Sequence, residues 1–275
     1  MPEDLRHSQV RRWHVEGQPA LEQVTHHRPG QEWAPHWHEE WSVGAVLSGS
    51  CRFSLGGQRH TASAGDLLAI APGVVHTCGL ALDDGAPSRV VMVYAEAPWL
   101  AALGLRTPSG SARVHDPALA AAGHAVHDSE AAAAWLARAL AALQGGAALL
   151  PAAADPPGRA ARQVLAALQR AASGEAPDAI DELARGCALS REHFHRIATR
   201  WLGLSPGDYL RAARMARARH LLIAGCPIAQ AAQDCGFADQ AHFTRWFSRC
   251  FGYTPGALRA ADLSCRTGRS RRGSA

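Results

Sequence analysis

The stretch that decides the fold runs from Ile228 to Arg259 and reads IAQAAQDCGFADQAHFTRWFSRCFGYTPGALR. Ile228, Ala231, Ala232 and Cys235 recur at the spacing that lines apolar side chains along one helix face. Gly236 stands where such a helix stops in a left-handed residue. Asp239 then offers an N-cap oxygen, and Phe243, Trp246, Phe247 and Cys250 form a second apolar face that is expected to pack inward. The opposite face carries Gln240, His242, Thr244, Arg245, Ser248 and Arg249. These polar and cationic groups are of the kind that meet base edges and phosphates in a major groove, and the pattern predicts a helix-turn-helix.

The chain uses this unit twice. Ser190 onward, SREHFHRIATRWLGLSPG, lays over Asp239 onward, DQAHFTRWFSRCFGYTPG. His193 falls on His242, Phe194 on Phe243, Arg196 on Arg245, Arg200 on Arg249, Gly203 on Gly252, and Pro206-Gly207 on Pro255-Gly256. In this first copy Asp178 is expected to cap a helix holding Ile180, Leu183 and Ala184, with Gly186 ending it. Ser190 caps a second helix that exposes Arg191, Glu192, His193, His195, Arg196 and Arg200. Between the copies Ser205-Pro206 is an N-cap followed by proline at the first helical position. From there Leu210, Ala213, Leu221 and Leu222 make a core stripe, and Arg211, Arg214, Arg217 and Arg219 are expected on the remaining surface. One long helix joins the two units.

At these residues the chain resembles the AraC/XylS family of transcription regulators, whose DNA-binding domain is two helix-turn-helix units joined by a linker helix. The family's string, roughly A-x-x-x-GF-x-x-x-x-x-F-x-R-x-F-x-x-x-x-G-x-TP, is met by Ala232, Gly236, Phe237, Phe243, Arg245, Phe247, Gly252, Thr254 and Pro255. Ala198 departs from the pattern, since the first unit commonly carries a bulky aromatic there. The resemblance implies that helices Ser190 to Trp201 and Asp239 to Phe251 enter successive major grooves on one face of DNA. Arg191, Glu192, His195, Gln240, Ala241 and Thr244 are then the expected base contacts, while Arg196 and Arg245 fall at structural or phosphate-facing family positions. Ser190, His193, Arg200, Asp239, His242 and Arg249 complete the expected DNA-binding set.

Charge distribution points the same way without the motif. Residues 1–158 hold 10 arginines against 15 acids, and residues 159–275 hold 18 against 9; the chain has no lysine. A basic half beside an acidic half is what a chain shows when only one domain meets phosphate. At 275 residues the length suits two domains. No apolar run suits a membrane helix, the N-terminus lacks a signal-peptide core, and a cytoplasmic location is expected. Seven cysteines without a CxxC pair fit reduced thiols, with Cys226, Cys235 and Cys250 on or near core faces.

Residues 1–97 read as β structure. SVGAVLSG, CRFSLGGQRHTA and RVVMVYAE are separated by turn signals, with Gly56-Gly57 suited to a hairpin, which suggests a barrel or jelly roll. Pro35-His36-Trp37-His38-Glu39-Glu40 and, about thirty residues on, Gly65-Asp66 to Pro72-Gly73 and His76 resemble the two cupin motifs. The effector-binding arm of AraC-type regulators is a cupin. His36, His38 and His76 match histidines that metal-binding cupins use, but Ser42 and Val43 stand where the acid ligand belongs. The three imidazoles could hold zinc, nickel or ferrous ion, or line a pocket for an organic effector without metal. The missing acid favours the second, so no metal or other cofactor is expected. His36, Trp37, His38, Glu40, Trp41 and His76, with Trp33, are the candidate lining of a pocket for a small polar or cationic ligand.

Residues 98–144 turn alanine-rich and helical. Ser129 is the expected N-cap of a helix whose stripe, Trp135, Leu136, Ala139, Leu140 and Leu143, either packs on its own barrel or makes the dimer that the resemblance implies. Residues 145–158 read as a linker, 159–262 as the double helix-turn-helix and 263–275 as a basic disordered tail. The expectation is an α+β chain, not an enzyme: a DNA-binding regulator, by family habit an activator working with RNA polymerase. Its partners would be double-stranded DNA, a small-molecule effector and a second copy of itself. The alternative is a cupin metal sensor or metalloenzyme fused to a DNA-binding domain.

Overall fold

The computed structural model describes residues 8–13, 21–26, 32–80, 82–83, 86–149, 158–176 and 178–261. Its strands are β1 (Gln9–Trp13), β2 (Leu21–His26), β3 (Glu32–His36), β4 (Trp41–Ser48), β5 (Ser50–Leu55), β6 (Gln58–Ser63), β7 (Asp66–Ile70), β8 (His76–Leu80), β9 (Leu82–Asp83), β10 (Ala86–Pro87), β11 (Arg89–Ala95), β12 (Ala112–His115) and β13 (Ala147–Ala148). Its helices are α1 (Ala97–Ala102), α2 (Pro117–Ala122), α3 (Ser129–Gln144), α4 (Arg159–Ser173), α5 (Ile180–Gly186), α6 (Arg191–Leu202), α7 (Pro206–Ile223), α8 (Ile228–Asp234) and α9 (Gln240–Phe251). No helix among the described residues is long and apolar enough to cross a membrane.

One sheet runs β1-β2-β11-β4-β7-β12-β13 and a smaller one β3-β8-β5-β6. The period-two alternation of strands divides the large sheet between two cores. Trp41, Val43 and Ala45 of β4, Leu67 and Ala69 of β7, and Val91 and Val93 of β11 point to a face covered by α1, α2 and α3. Val46, Leu68, Ile70 and Val90 point the other way, where Trp33, Cys51, Phe53, Leu55 and Leu80 of the small sheet meet them. Both faces are therefore covered, which accounts for unbroken apolar runs such as Leu67-Leu68-Ala69-Ile70. Gly56 and Gly57 turn the β5–β6 hairpin with φ of 52° and 81°, the paired positive angles of the tight turn their sequence predicts.

The region after the cupin core differs from its sequence reading. Residues 112–115, within the stretch expected to be helical, form β12 beside β7, and residues 147–148 of the expected linker form β13 at the sheet edge. Residues 150–157 of that linker and the tail 263–275 lie outside the described residues. Asp128, not Ser129, caps α3, accepting from the Ala131 N–H at 2.8 Å. The α3 stripe, Trp135, Leu136, Ala139, Leu140 and Leu143, is buried in the chain's own core, and the Trp135 indole donates to the Leu119 carbonyl at 3.0 Å. A partner chain would have to use another face of this helix. Leu136 is fully buried, so Leu136→Ala is expected to lower unfolding stability by about 2–5 kcal/mol. Denaturant titration at two protein concentrations checks this: a loss seen only at low concentration would put the stripe in a dimer instead.

The C-terminal half holds two further cores. Val164, Ala167 and Leu168 of α4 pack with Leu183, Phe194, Ala198 and Leu210, so α4 completes the first helix-turn-helix. Ala198, where a bulky aromatic was the family's habit, is fully buried beside α4. Met215, Ala218 and Leu222 of α7 pack with Ala231, Ala232, Phe243 and Phe247 in the second, which also takes in Val24 and Tyr94 of the large sheet. The two halves of the chain thus share a core.

Candidate DNA-reading surface and effector cavity

Each reading helix is set by local chemistry that the sequence displays. The Ser190 hydroxyl accepts from the His193 N–H at 3.2 Å, and the Asp239 carboxylate from the His242 N–H at 2.7 Å, satisfying first-turn donors that otherwise have no helical partner. Gly203 and Gly252 close α6 and α9 with φ of 74° and 78°, where a Cβ is disfavoured. Each glycine also abuts the N-terminal half: Gly203 meets the Gly56-Gly57 turn, and Gly252 meets Trp33 and His26, with no room for a Cβ. The cupin therefore grips both reading helices at their C-terminal ends.

Three local expectations are corrected. Asp178 does not cap α5; Ala179 takes the N-cap position, and the Asp178 carboxylate pairs with Arg214. Gly186 is the last residue of α5, and the left-handed residue after it is Ala188, φ 54°. Trp246 is only half-buried, with the Arg211 and Arg249 guanidinium groups 4.7 and 4.8 Å from its ring, a double cation–π contact.

The expected DNA-facing residues lie on one exposed surface of each helix: Arg191, Glu192, His193, His195, Arg196 and Arg200 on α6, and Gln240, Ala241, His242, Arg245 and Arg249 on α9, with Thr244 half-buried. Some are engaged within the chain. Arg191 pairs with Asp181 at 3.2 Å, and the Trp246 indole N–H donates to His242 at 2.9 Å. Gln240 is the first residue of α9, just after the Asp239 cap, and is exposed.

In the cupin, the small sheet brings three histidines together. His36 on β3 pairs in register with His76 on β8, and their rings stand 4.4 Å apart. His38 lies two residues beyond His36, at 5.2 Å from its ring and 5.6 Å from that of His76. Phe251 of α9 lies over the cluster, 5.4 Å from His36 and 5.6 Å from His38. His36, His76 and Phe251, but not His38, help line a cavity of about 50 Å³ walled also by Trp33, Phe53, Leu68, Ile70, Leu80, Val90 and Met92, with the Cys51 and Cys78 thiols 2.8 Å apart in its lining.

Burial, added to by the neighbouring imidazole of His76, holds His36 well below the usual histidine range; burial and then Arg219 do the same for His38. Burial lowers His76 to about 4. All three are neutral near pH 7. An unfolded imidazole titrates near 6.5, so between 6.5 and 4 the unfolded chain binds protons that folded His76 refuses, and stability is lost as the pH drops through that window. His76 alone accounts for a loss of ~3 kcal/mol, and His36 and His38 add in the same direction. Unfolding free energies measured in chelator between pH 7.5 and 4 test this; a flat profile contradicts it.

The rest of the candidate pocket lies elsewhere. Trp37 stacks on Tyr209 of α7 at 5.1 Å, Trp41 points into the core under α1 to α3, and Glu40 pairs with Arg219 at 2.7 Å. Arg219, expected on the surface of the linker helix, is only 5% exposed. It reaches Glu22 at 3.0 Å and donates from Nε to the Tyr253 hydroxyl at 3.2 Å, and that hydroxyl donates to Glu22 at 2.8 Å. Arg12 stands 3.5 Å from the same glutamate. Burial by itself raises Glu40, but the Arg219 guanidinium more than reverses this and holds it below its usual range. This buried cluster joins β1, β2 and the loop before β4 to α7 and the segment after α9.

Residues 18–183 match the model of the AraC-like ligand binding domain, and residues 183–261 that of a helix-turn-helix domain. The chain belongs to the AraC family. Among its relatives, the HTH-type transcriptional activator RhaS of Escherichia fergusonii is 41% identical over 73 residues, 26% of each chain. RhaS of Escherichia coli (strain SE11) is 36% identical over 80 residues, 29% of each. The chain thus matches little more than a quarter of the length of these curated relatives. A crystal structure of ToxT from Vibrio cholerae superposes with a TM-score of 0.51 over 88% of this chain and 98% of that one, at 9% identity. That likeness shows the fold: a cupin-like β domain followed by two helix-turn-helix units.

Proposed function

We propose that this AraC-family chain is a sequence-specific DNA-binding transcription regulator, an activator whose state is set by an effector held in the N-terminal cupin. The observation that carries it is the repeated helix pair, whose second helix is each time capped by a side chain, closed by a left-handed glycine and exposes a polar and basic face, the two pairs being joined by the single helix α7. Helices α6 and α9 enter successive major grooves, with Arg191, Glu192, His195, Gln240, Ala241 and Thr244 reading bases. Arg196, Arg200, Arg245 and Arg249 hold the phosphates. Double-stranded DNA, RNA polymerase and a second copy of the chain are its partners, and it is not an enzyme.

Gln240→Ala is expected to weaken operator binding by ~1–3 kcal/mol, about 10- to 100-fold, while nonspecific binding at the same salt concentration stays unchanged. The operator is obtained first by capturing genomic DNA with the purified protein, and the two affinities follow by fluorescence anisotropy. Equal losses on both DNAs would remove α9 as a base reader.

A further inference from the structure

The three cupin histidines are arranged as ligands rather than as packing. The Nδ1 nitrogens of His36 and His76 are held by the backbone carbonyls of Ala34 and Val74, at 2.8 and 2.9 Å. A carbonyl only accepts, so each Nδ1 carries the proton and each Nε2 keeps its lone pair. This is the orientation that second-shell bonds impose on metal-binding imidazoles. His38 is 3% exposed, and neither of its ring nitrogens has a hydrogen-bond partner. Burying a polar group unpaired is costly, so an unpartnered imidazole beside two imidazoles that each keep a lone pair calls for a shared partner. One ring nitrogen from each histidine lies within 4.8 Å of the other two.

We infer that His36, His38 and His76 bind one first-row divalent transition-metal ion of the zinc, cobalt or nickel class, and that this ion is the effector to which the DNA-binding half responds. Neutral imidazoles favour these ions over calcium or magnesium, which take oxygen ligands. Tetrahedral bonds of ~2.1 Å need nitrogens about 3.4 Å apart. His38 has no hydrogen bond to break in closing that gap. In this conformation the cavity that His36 and His76 help line, about 50 Å³, is smaller than the about 300–1,000 Å³ of ordinary small-molecule sites. The acid absent from the cupin pattern is not supplied by Glu40, which is spent on Arg219. The ion's link to DNA is Phe251, which caps the histidines and ends the second reading helix.

The effector role rests on the regulator reading; the metal site does not. The test uses the full-length protein, stripped with chelator and titrated with cobalt(II) chloride. Expected are one equivalent bound, the visible absorption of a four- or five-coordinate cobalt ion, and a rise in melting temperature that calcium and magnesium do not give. His36→Ala and His38→Gln should each lose at least the ~10-fold in affinity that removal of even an outer-shell partner costs. A folded wild-type protein without the cobalt band, or a band that persists when both histidines are replaced, overturns the site. Operator affinity measured with zinc(II) and with chelator should differ by about 5-fold or more. Unchanged affinity with metal bound overturns the effector role and leaves the regulator intact. Absence of sequence-specific binding in both states sinks the regulator reading and the effector role together, while the cobalt spectrum still decides the site.

Discussion

Arg219→Ala is expected to cost about 3–5 kcal/mol, because it removes the cation from a cluster in which Glu22 and Glu40 are buried. Arg12, 3.5 Å from Glu22, is left to face that carboxylate, and Glu40 loses the partner that keeps it ionised. The cluster lies between the halves of the chain, so the protein has a cheaper response than unfolding. Separating the helix-turn-helix units from the cupin returns both carboxylates to water, and the loss is then limited to the free energy of docking. Limited proteolysis should therefore cut the variant between its halves at protease levels that leave the parent intact, and denaturation should split into two transitions. Arg219→Lys is expected to rescue little, since one ammonium cannot reproduce a guanidinium fork spanning two carboxylates and a phenol. Replacing Glu22 and Glu40 by glutamine together with Arg219→Met should recover most of the stability, because the cost comes from unpaired charge rather than from lost attraction. A single transition within about 1 kcal/mol of the parent would show that the cluster does not hold the halves together.

The helix-turn-helix units were legible because their determinants are local. Capping residues, a left-handed glycine and three- and four-residue apolar steps all act within a dozen positions, and Ser190, Ser205 and Asp239 cap as the sequence predicts. Even there, Ala188 carries the left-handed turn without a glycine to announce it. Either Asp128 or Ser129 could have capped α3, a choice that spacing does not make. Alternation along β4 and β7 shows that Trp41 and Leu67 share one face and Val46 and Leu68 the other, but the sequence does not say which face holds the cavity. Glu40 and Trp37 find their partners on α7, some 170–180 positions away in the chain. Arg219 alone left a usable signal: it lies in the frame of Met215, Ala218 and Leu222, an inward stripe in which a charge must be paired. Read that way, it predicts an acidic partner on another domain, though not which one.

Phe251→Ala is expected to lower stability by about 3–5 kcal/mol and to uncover the histidine cluster at the same time. The ring is 3% exposed and contacts two environments. On one side it meets Phe247 at 4.7 Å and Tyr253 at 6.1 Å, within the core of the second reading unit. On the other it covers His36 and His38. Truncation therefore weakens the unit itself and also the seam against the cupin, which Phe247→Ala, fully buried within the unit, leaves in place. The two variants should lose similar stability but differ in histidine chemistry. Carbethoxylation of His36 and His38, followed by mass spectrometry, should be slow in the parent and in Phe247→Ala under native conditions, and fast in Phe251→Ala. Equal protection in all three would mean that the cupin closes over its histidines without help from α9. The contact of Phe251 with His36 and His38 would then not be what shields the cluster. Faster modification in Phe251→Ala alone makes that ring the cover of the cluster, because its centroid lies 5.4 Å from His36 and 5.6 Å from His38.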